Sequence, residues 1–410
     1  SKIRDIHFYG NIITRDHVIR RELAIQPSDD SNQLLIDKSK NRLQNLRYFD
    51  TVEIIPVNTD ETGYKDLQVK LVESKTGRLT LGAGVSSIDS ILGTVELNQS
   101  NFDLFNGWPF VGGGQRFKAR LSAGSVRNEF GISWIEPWFR DKKQRLSVDL
   151  YRRSRIYDRF EQTNTGANIS LTKQLEKNKR WSYSYGFKFE QVDLTDFDLG
   201  VSQQLLNEQG ADFVSALTFS LIRDTRNNYR RPSDGSRFSF DTEIQSGAIG
   251  SDNDLYKLTA KAARYFAVFE DSVLKVSGQL STVDATSNDV PIYERYFAGG
   301  LNSFRGYKFR NVSPVDGNND EIGGQSMALG TIELDIPLYK NINWAVFTDF
   351  GNVYTDSFEF RTDDINLSVG VGLRLNLPIG PLVLDFAKPF RNTQQNGGSG
   401  RLHFNLGYSF

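Results

Sequence analysis

Few residues in this 410-residue chain could carry covalent chemistry. It has no cysteine and three histidines, His7, His17 and His403. That removes thiol nucleophiles, disulfide scaffolds and cysteine-based zinc sites together, and leaves too few imidazoles for a histidine-rich metal cage. No GxSxG elbow, Walker loop or GxGxxG fingerprint occurs, and no nucleophile partners the histidines. The expectation is therefore a non-enzyme with no catalytic residue, no metal and no cofactor. What remains is ion-pair chemistry. Arg305, followed by Gly306 and Tyr307, offers five donors that a carboxylate can engage bidentately. Asp349 alternates with Trp344, Val346 and Phe350, so its side chain is expected on the face opposite theirs; Glu333 and Asp335 are further carboxylates in an alternating segment. Read alone, such an arginine is a solvated loop residue.

The elements that would position these groups follow from composition and period. Lys plus Arg number 49 against 50 Asp plus Glu, a net charge of −1, so no basic nucleic-acid footprint exists. The chain is nonetheless aromatic-rich, with 29 Phe, 16 Tyr and 5 Trp, and polar on average, with a mean hydropathy of −0.44. Either a large soluble all-β protein or a transmembrane β-barrel reconciles the two. No run approaches the ~20 apolar residues of a membrane helix. The chain starts at Ser1 without a basic or apolar leader and its only methionine is Met327, which reads as a processed or shortened chain.

Residues 1–76 read as a small α/β module in the order β-α-α-β-β. Thr14 is expected to cap a short helix, Leu34 to Phe49 recur at helical spacing, and 52–57 and 67–72 alternate as strands. From 77 to 410 the period is two. Sixteen strands are expected, near 78–86, 91–98, 116–124, 128–136, 144–154, 163–173, 181–191, 211–223, 236–247, 254–268, 273–284, 327–336, 343–351, 366–376, 381–388 and 401–410. The 334 residues of this region allow about 21 per strand with its connection, room for the ~9–11 needed to cross a bilayer at a tilt. Connections alternate between short turns and longer polar loops, the longest being 285–326.

Six segments resemble one family, the BamA-type outer-membrane proteins that join periplasmic POTRA domains to a sixteen-stranded barrel. The order of elements in 1–76 is similar to one POTRA domain. Asp224-Thr225-Arg226 with Arg231-Pro-Ser-Asp-Gly235 resembles a DTR…PxxG turn, and Phe304-Arg305-Gly306-Tyr307 a [V/I]RG[F/Y] loop in which Phe304 replaces the usual aliphatic residue. Phe347-Thr-Asp349-Phe-Gly351 resembles FxDxG, Leu377-Pro-Ile-Gly-Pro-Leu382 through Phe390 the PxGPL…PF hairpin, and Asn405 to Phe410 the terminal β-signal.

The resemblance implies an integral bacterial outer-membrane protein with its N-terminal domain in the periplasm. It implies that loop 285–326 folds inward and that Arg305, Gly306 and Tyr307 latch onto Asp349, with Glu333 and Asp335 as backup partners. It also implies a lateral gate between the first and last barrel strands. Leu79, Thr80, Leu81, Gly82, Ala83, Gly84 and Val85 would face Leu402, Phe404, Leu406, Gly407, Tyr408 and Phe410 there. Small residues at Thr80, Gly82, Gly84 and Ser86 weaken a strand, and Gly407 is placed to kink the other; on glycine count alone, they equally make room for lumenal contents. The implied function is insertion of unfolded outer-membrane β-barrel clients by strand templating, with the POTRA-like module guiding clients by adding a strand to its sheet edge at 51–57 or 67–72. Membrane lipids and periplasmic accessory lipoproteins would be partners, with no nucleic acid. The alternatives are a two-partner secretion pore or a translocation-and-assembly homologue. Trp108, Trp134, Trp138, Phe139 and Trp181 are candidates for interfacial girdles, and Asn106-Gly-Trp-Pro-Phe110 for contact with a partner or the membrane surface.

Overall fold

The structure, a computed structural model, describes all residues except 176–177, 288, 378–379, 392–398 and 408–410. Pro378 and Ile379 of the penultimate hairpin, most of the loop 389–400, and Tyr408 and Phe410 of the gate therefore lie outside the described residues.

The N-terminal elements are β1 (Lys2–Tyr9), α1 (Asp16–Arg20), α2 (Gln33–Leu46), β2 (Phe49–Asn58) and β3 (Tyr64–Glu73), in the expected order. In α2, Ile36, Ser39 and Leu43 recur on one buried face, and Asn32 caps the start by accepting from the Leu34 amide at 2.9 Å. The helices close a core with Ile3, Ile6, Val52, Leu67 and Val69. Two expectations are corrected. Thr14 does not cap α1: the N-cap is Arg15, without a side-chain bond, and the Thr14 hydroxyl instead accepts from Asn101 Nδ2 at 2.9 Å. The sheet order is β1-β3-β2, with β1 parallel to β3. Residues 67–72 thus lie on the central strand β3, with 67–70 paired to both neighbours and closed to an added strand, while 51–57 lies on the edge strand β2.

Sixteen antiparallel strands follow: β4 (Gly77–Ser86), β5 (Ser90–Phe102), β6 (Gln115–Gly124), β7 (Arg127–Glu136), β8 (Gln144–Ile156), β9 (Glu161–Gln174), β10 (Trp181–Thr195), β11 (Gly210–Asp224), β12 (Gly235–Gln245), β13 (Leu255–Ala267), β14 (Val273–Ala285), β15 (Ser326–Tyr339), β16 (Ile342–Tyr354), β17 (Asn366–Leu377), β18 (Gly380–Arg391) and β19 (Arg401–Leu406). They form a closed barrel in which β19 returns to β4. Closure removes both sheet edges, and the period of two sends alternate residues to opposite faces. In β16, Trp344, Val346 and Phe350 are exposed on the outer face while Ala345, Phe347 and Asp349 are buried on the inner one. No helix among the described residues is long and apolar enough to cross a membrane.

The chain forms two compact units. One comprises 1–80, 96–120 and 132–148, the other 81–95, 121–131 and 149–410. Within the first, Tyr48 Oη donates to the Ser100 carbonyl at 2.8 Å, and Trp138 Nε1 to Glu22 at 2.8 Å. Within the second, the segment between β14 and β15 builds its own core from Ala298, Phe304, Tyr307 and Val312 with Met327 and Val353.

Candidate functional site

The segment between β14 and β15 delivers Arg305 to the inner face of β15–β19. Gly306 has a φ of +94°, and a Cβ there would lie 3.3 Å from Ser368 Cβ, so the tip of the turn approaches the strands as only glycine permits. Phe304 and Tyr307 flank it edge to face, with ring centroids 5.0 Å apart, and both are buried. Burial pushes the Tyr307 hydroxyl up to about 12.

Arg305 makes a fork-to-fork pair with Asp349. Nε reaches Oδ2 at 2.8 Å and Nη2 reaches Oδ1 at 2.8 Å, while the Arg305 amide also donates to Oδ2 at 3.0 Å. Nη1 bonds Glu333 and reaches Asp385 Oδ2 at 3.3 Å. The guanidinium carbon sits 3.3 Å from the centre of the Phe347 ring. Burial, the largest influence on Arg305, works against its charge, but the hydrogen bonds and charge of Asp349 and the charge of Glu333 outweigh it and raise its pKa above the ordinary guanidinium value. Asp385 is in turn held by Arg374, whose Nη2 donates to Oδ2 at 3.1 Å, and Thr331 Oγ1 donates to Asp349 at 2.9 Å. A buried cation, Arg305, and a half-buried one, Arg374, thus sit among three carboxylates from three strands, a polar network with nearly every group satisfied.

The structure brings Arg305 together with Asp349 and Glu333 and leaves Asp335 out: Asp335 Oδ1 is buried without a hydrogen-bond partner. Asp385, Arg374, Phe347 and His403 were not foreseen as members. Asp385 carried a readable signal, a charge between the outward-tending Leu384 and Phe386 on an alternating strand. His403 carried none, because only register shows that it pairs with Asp385. Its Nε2 accepts from the Gly306 amide at 2.9 Å, which ties the loop to the last strand.

Among the described residues the junction of β19 with β4 is thin. β18 pairs β19 from Leu382↔Leu406 to Ala387↔Arg401, whereas β19 pairs β4 only at Asn405↔Ser86 and Leu406↔Val85 among the described residues. Two further bonds cross the junction, from the Ser87 amide to the Phe404 carbonyl at 2.9 Å and from the Phe404 amide to Ser87 Oγ at 3.4 Å. Gly407 has a φ of +112°, and a Cβ on it would lie 2.8 Å from the Ala83 carbonyl oxygen. Leu79, Leu81, Ala83 and Leu402 are exposed on the outer side, while Thr80, Gly82 and Gly84 alternate with them.

Residues 110–410 match the Omp85 superfamily domain and residues 1–74 the surface antigen variable number repeat, a POTRA unit. The chain is 29% identical over 98% of its length to the outer membrane protein assembly factor BamA of Nitratidesulfovibrio vulgaris, covering 50% of that protein, and 23% identical over its whole length to BamA of Neisseria meningitidis, covering 56%. It therefore spans about half the length of these relatives. Its fold matches the crystal structure of Haemophilus ducreyi BamA lacking POTRA domains 1–3 with a TM-score of 0.84 at 22% identity, over 99% of this chain and 84% of that one. It matches CdiB from Acinetobacter baumannii less closely, with a TM-score of 0.63 at 15% identity, over 100% of this chain and 74% of that one.

Proposed function

The chain belongs to the Omp85 superfamily, as an outer-membrane barrel with an N-terminal POTRA unit, and from that premise we propose that it inserts client β-barrel proteins into the outer membrane through the junction of β19 and β4. The observation that carries the proposal is that, among the described residues, only two register pairs join β19 to β4. Every strand edge opened in hydrocarbon exposes amides and carbonyls that must be paired, so a barrel is expected to open where the fewest ladder bonds are lost. The edge exposed on β4 would template a client's terminal strand, and the energy would come from hydrogen bonding and apolar burial in the bilayer, with no nucleotide.

The latch gives the junction a scaffold. Arg305 fastens the 286–325 segment to β15, β16 and β18, and Gly306 fastens it to β19, so the wall on one side of the seam is braced while β4 on the other is not held by that network. In this reading β2 offers the free edge of the POTRA sheet to extended clients, and accessory lipoproteins would dock on this domain.

A secretion pore of the two-partner type, or a translocation-and-assembly homologue, is the competing role on the same fold. Planar-bilayer recording together with client folding in liposomes separates them. An insertase stays mostly closed and accelerates folding of a second barrel, whereas a secretion pore passes steady current and leaves client folding unchanged.

A further inference from the structure

The turn from β5 to β6 is apolar where a solvated turn should be polar. Residues 104–111, Leu-Phe-Asn-Gly-Trp-Pro-Phe-Val, contain no charge. Phe105 is 81% and Trp108 89% exposed, and Leu104 is exposed beside them. The turn is nevertheless built. The Asp103 amide donates to the Phe110 carbonyl at 2.9 Å, the Phe110 amide to the Gly107 carbonyl at 2.9 Å and the Gly112 amide to the Asn101 carbonyl at 2.8 Å. Buried Gln115 accepts from the Leu104 amide at 2.9 Å and from Trp134 Nε1 at 3.0 Å. A hydrogen-bonded frame therefore holds two large aromatic rings largely exposed at the tip of the turn.

What covers them is indicated by what they adjoin. Trp108 meets Phe110 edge on at 6.2 Å, Phe110 stacks on Phe102 at 6.1 Å, and Phe102 on Phe117 of β6 at 4.9 Å. This aromatic ladder joins the tip to the strands, where Leu97 is exposed on β5. The turn lies at the end of β5 where Ser100 and Asn101 bond Tyr48 and Thr14 of the POTRA unit. At that same end, the β7–β8 turn exposes three cations, Arg140, Lys142 and Lys143, beside one carboxylate, Asp141. An uncharged aromatic tip joined to the strands, with cations on another turn at the same end of the barrel, has the composition of a bilayer interface anchor.

We propose that residues 104–110 form a membrane foot, with Phe105 and Trp108 seated in the interfacial zone of the leaflet facing the POTRA unit. The inference rests on the barrel spanning a bilayer, and a gel-shift assay for the folded barrel checks that separately. The test uses the whole chain folded into phosphatidylcholine vesicles containing phosphatidylglycerol. Subtracting the emission of Trp108→Phe isolates Trp108. Its emission is expected to be blue-shifted, to lose most of its intensity with lipids brominated near the glycerol end of the acyl chain, less with bromines near the methyl end, and to resist acrylamide. A second probe, a polarity-sensitive dye on Asn106→Cys in this cysteine-free chain, is expected to report an apolar environment. Red, acrylamide-quenched Trp108 emission with a water-exposed dye in correctly folded barrels overturns the foot, and would leave a soluble protein partner as the occupant.

Discussion

The Gly306 amide donates to Nε2 of His403 across 2.9 Å, both groups being buried, so the tip of the longest loop is bonded to the strand that closes the barrel. Because Nε2 accepts, the imidazole presents a lone pair there and carries its proton on Nδ1. Replacing His403 by Phe leaves a buried amide unpaired, at roughly 1–3 kcal/mol, whereas Gln can keep an acceptor in place. Hydrogen exchange of the peptide containing Gly306 is expected to accelerate in His403→Phe and much less in His403→Gln.

Arg305→Ala strands Asp349 and Glu333 without their main cation and leaves Asp385 to Arg374 alone, and loss of one side of a buried pair costs roughly 3–5 kcal/mol. The 286–325 segment should become sensitive to limited proteolysis, with weakened growth complementation in a depletion strain. Arg305→Lys keeps the charge but loses the fork, and should fall between.

Two inward carboxylates, Asp385 on β18 and Asp335 on β15, should behave differently. Asp385→Asn weakens bonds to both Arg305 and Arg374, at about 1.5–3 kcal/mol for charged hydrogen bonds. Asp335→Asn removes no bond to Arg305 and should change the denaturation midpoint far less. Equal effects would show that Asp335 belongs to the network after all.

The contrast between Asp349 and Asp385 shows what could be read from the chain alone. Alternation is local: Trp344, Val346 and Phe350 against Asp349 reveal a strand and its two faces, so all sixteen barrel strands were legible, with ends shifted by a few residues. Which inward groups meet is set by register between strands, a non-local property. Arg305 was legible with Asp349 through the motif around each, but Asp385 and His403 join it only because Gly372, Asp385 and His403 fall in one row across β17, β18 and β19. The same limit misplaced 67–72 at a sheet edge, since parallel pairing of β1 with β3 leaves no local trace. Thr14 had the right residue type for a cap, but its hydroxyl is engaged by Asn101.

Gly407→Ala places a Cβ against the Ala83 carbonyl at a φ of +112°, a left-handed conformation that costs a non-glycine residue about 1–2 kcal/mol. Pairing at Leu406↔Val85 should weaken, and disulfide capture across the seam should fall in yield relative to the parent chain.

The seam itself is the most direct test. Ser86 and Asn405 are register partners, with Cα atoms expected about 4.5–5.5 Å apart, within disulfide reach, and the chain has no other cysteine to interfere. Ser86→Cys with Asn405→Cys, oxidised and folded into liposomes, should lose its acceleration of client barrel folding and regain it on reduction. Full acceleration by the oxidised, verified disulfide form would contradict insertion through the β19–β4 junction.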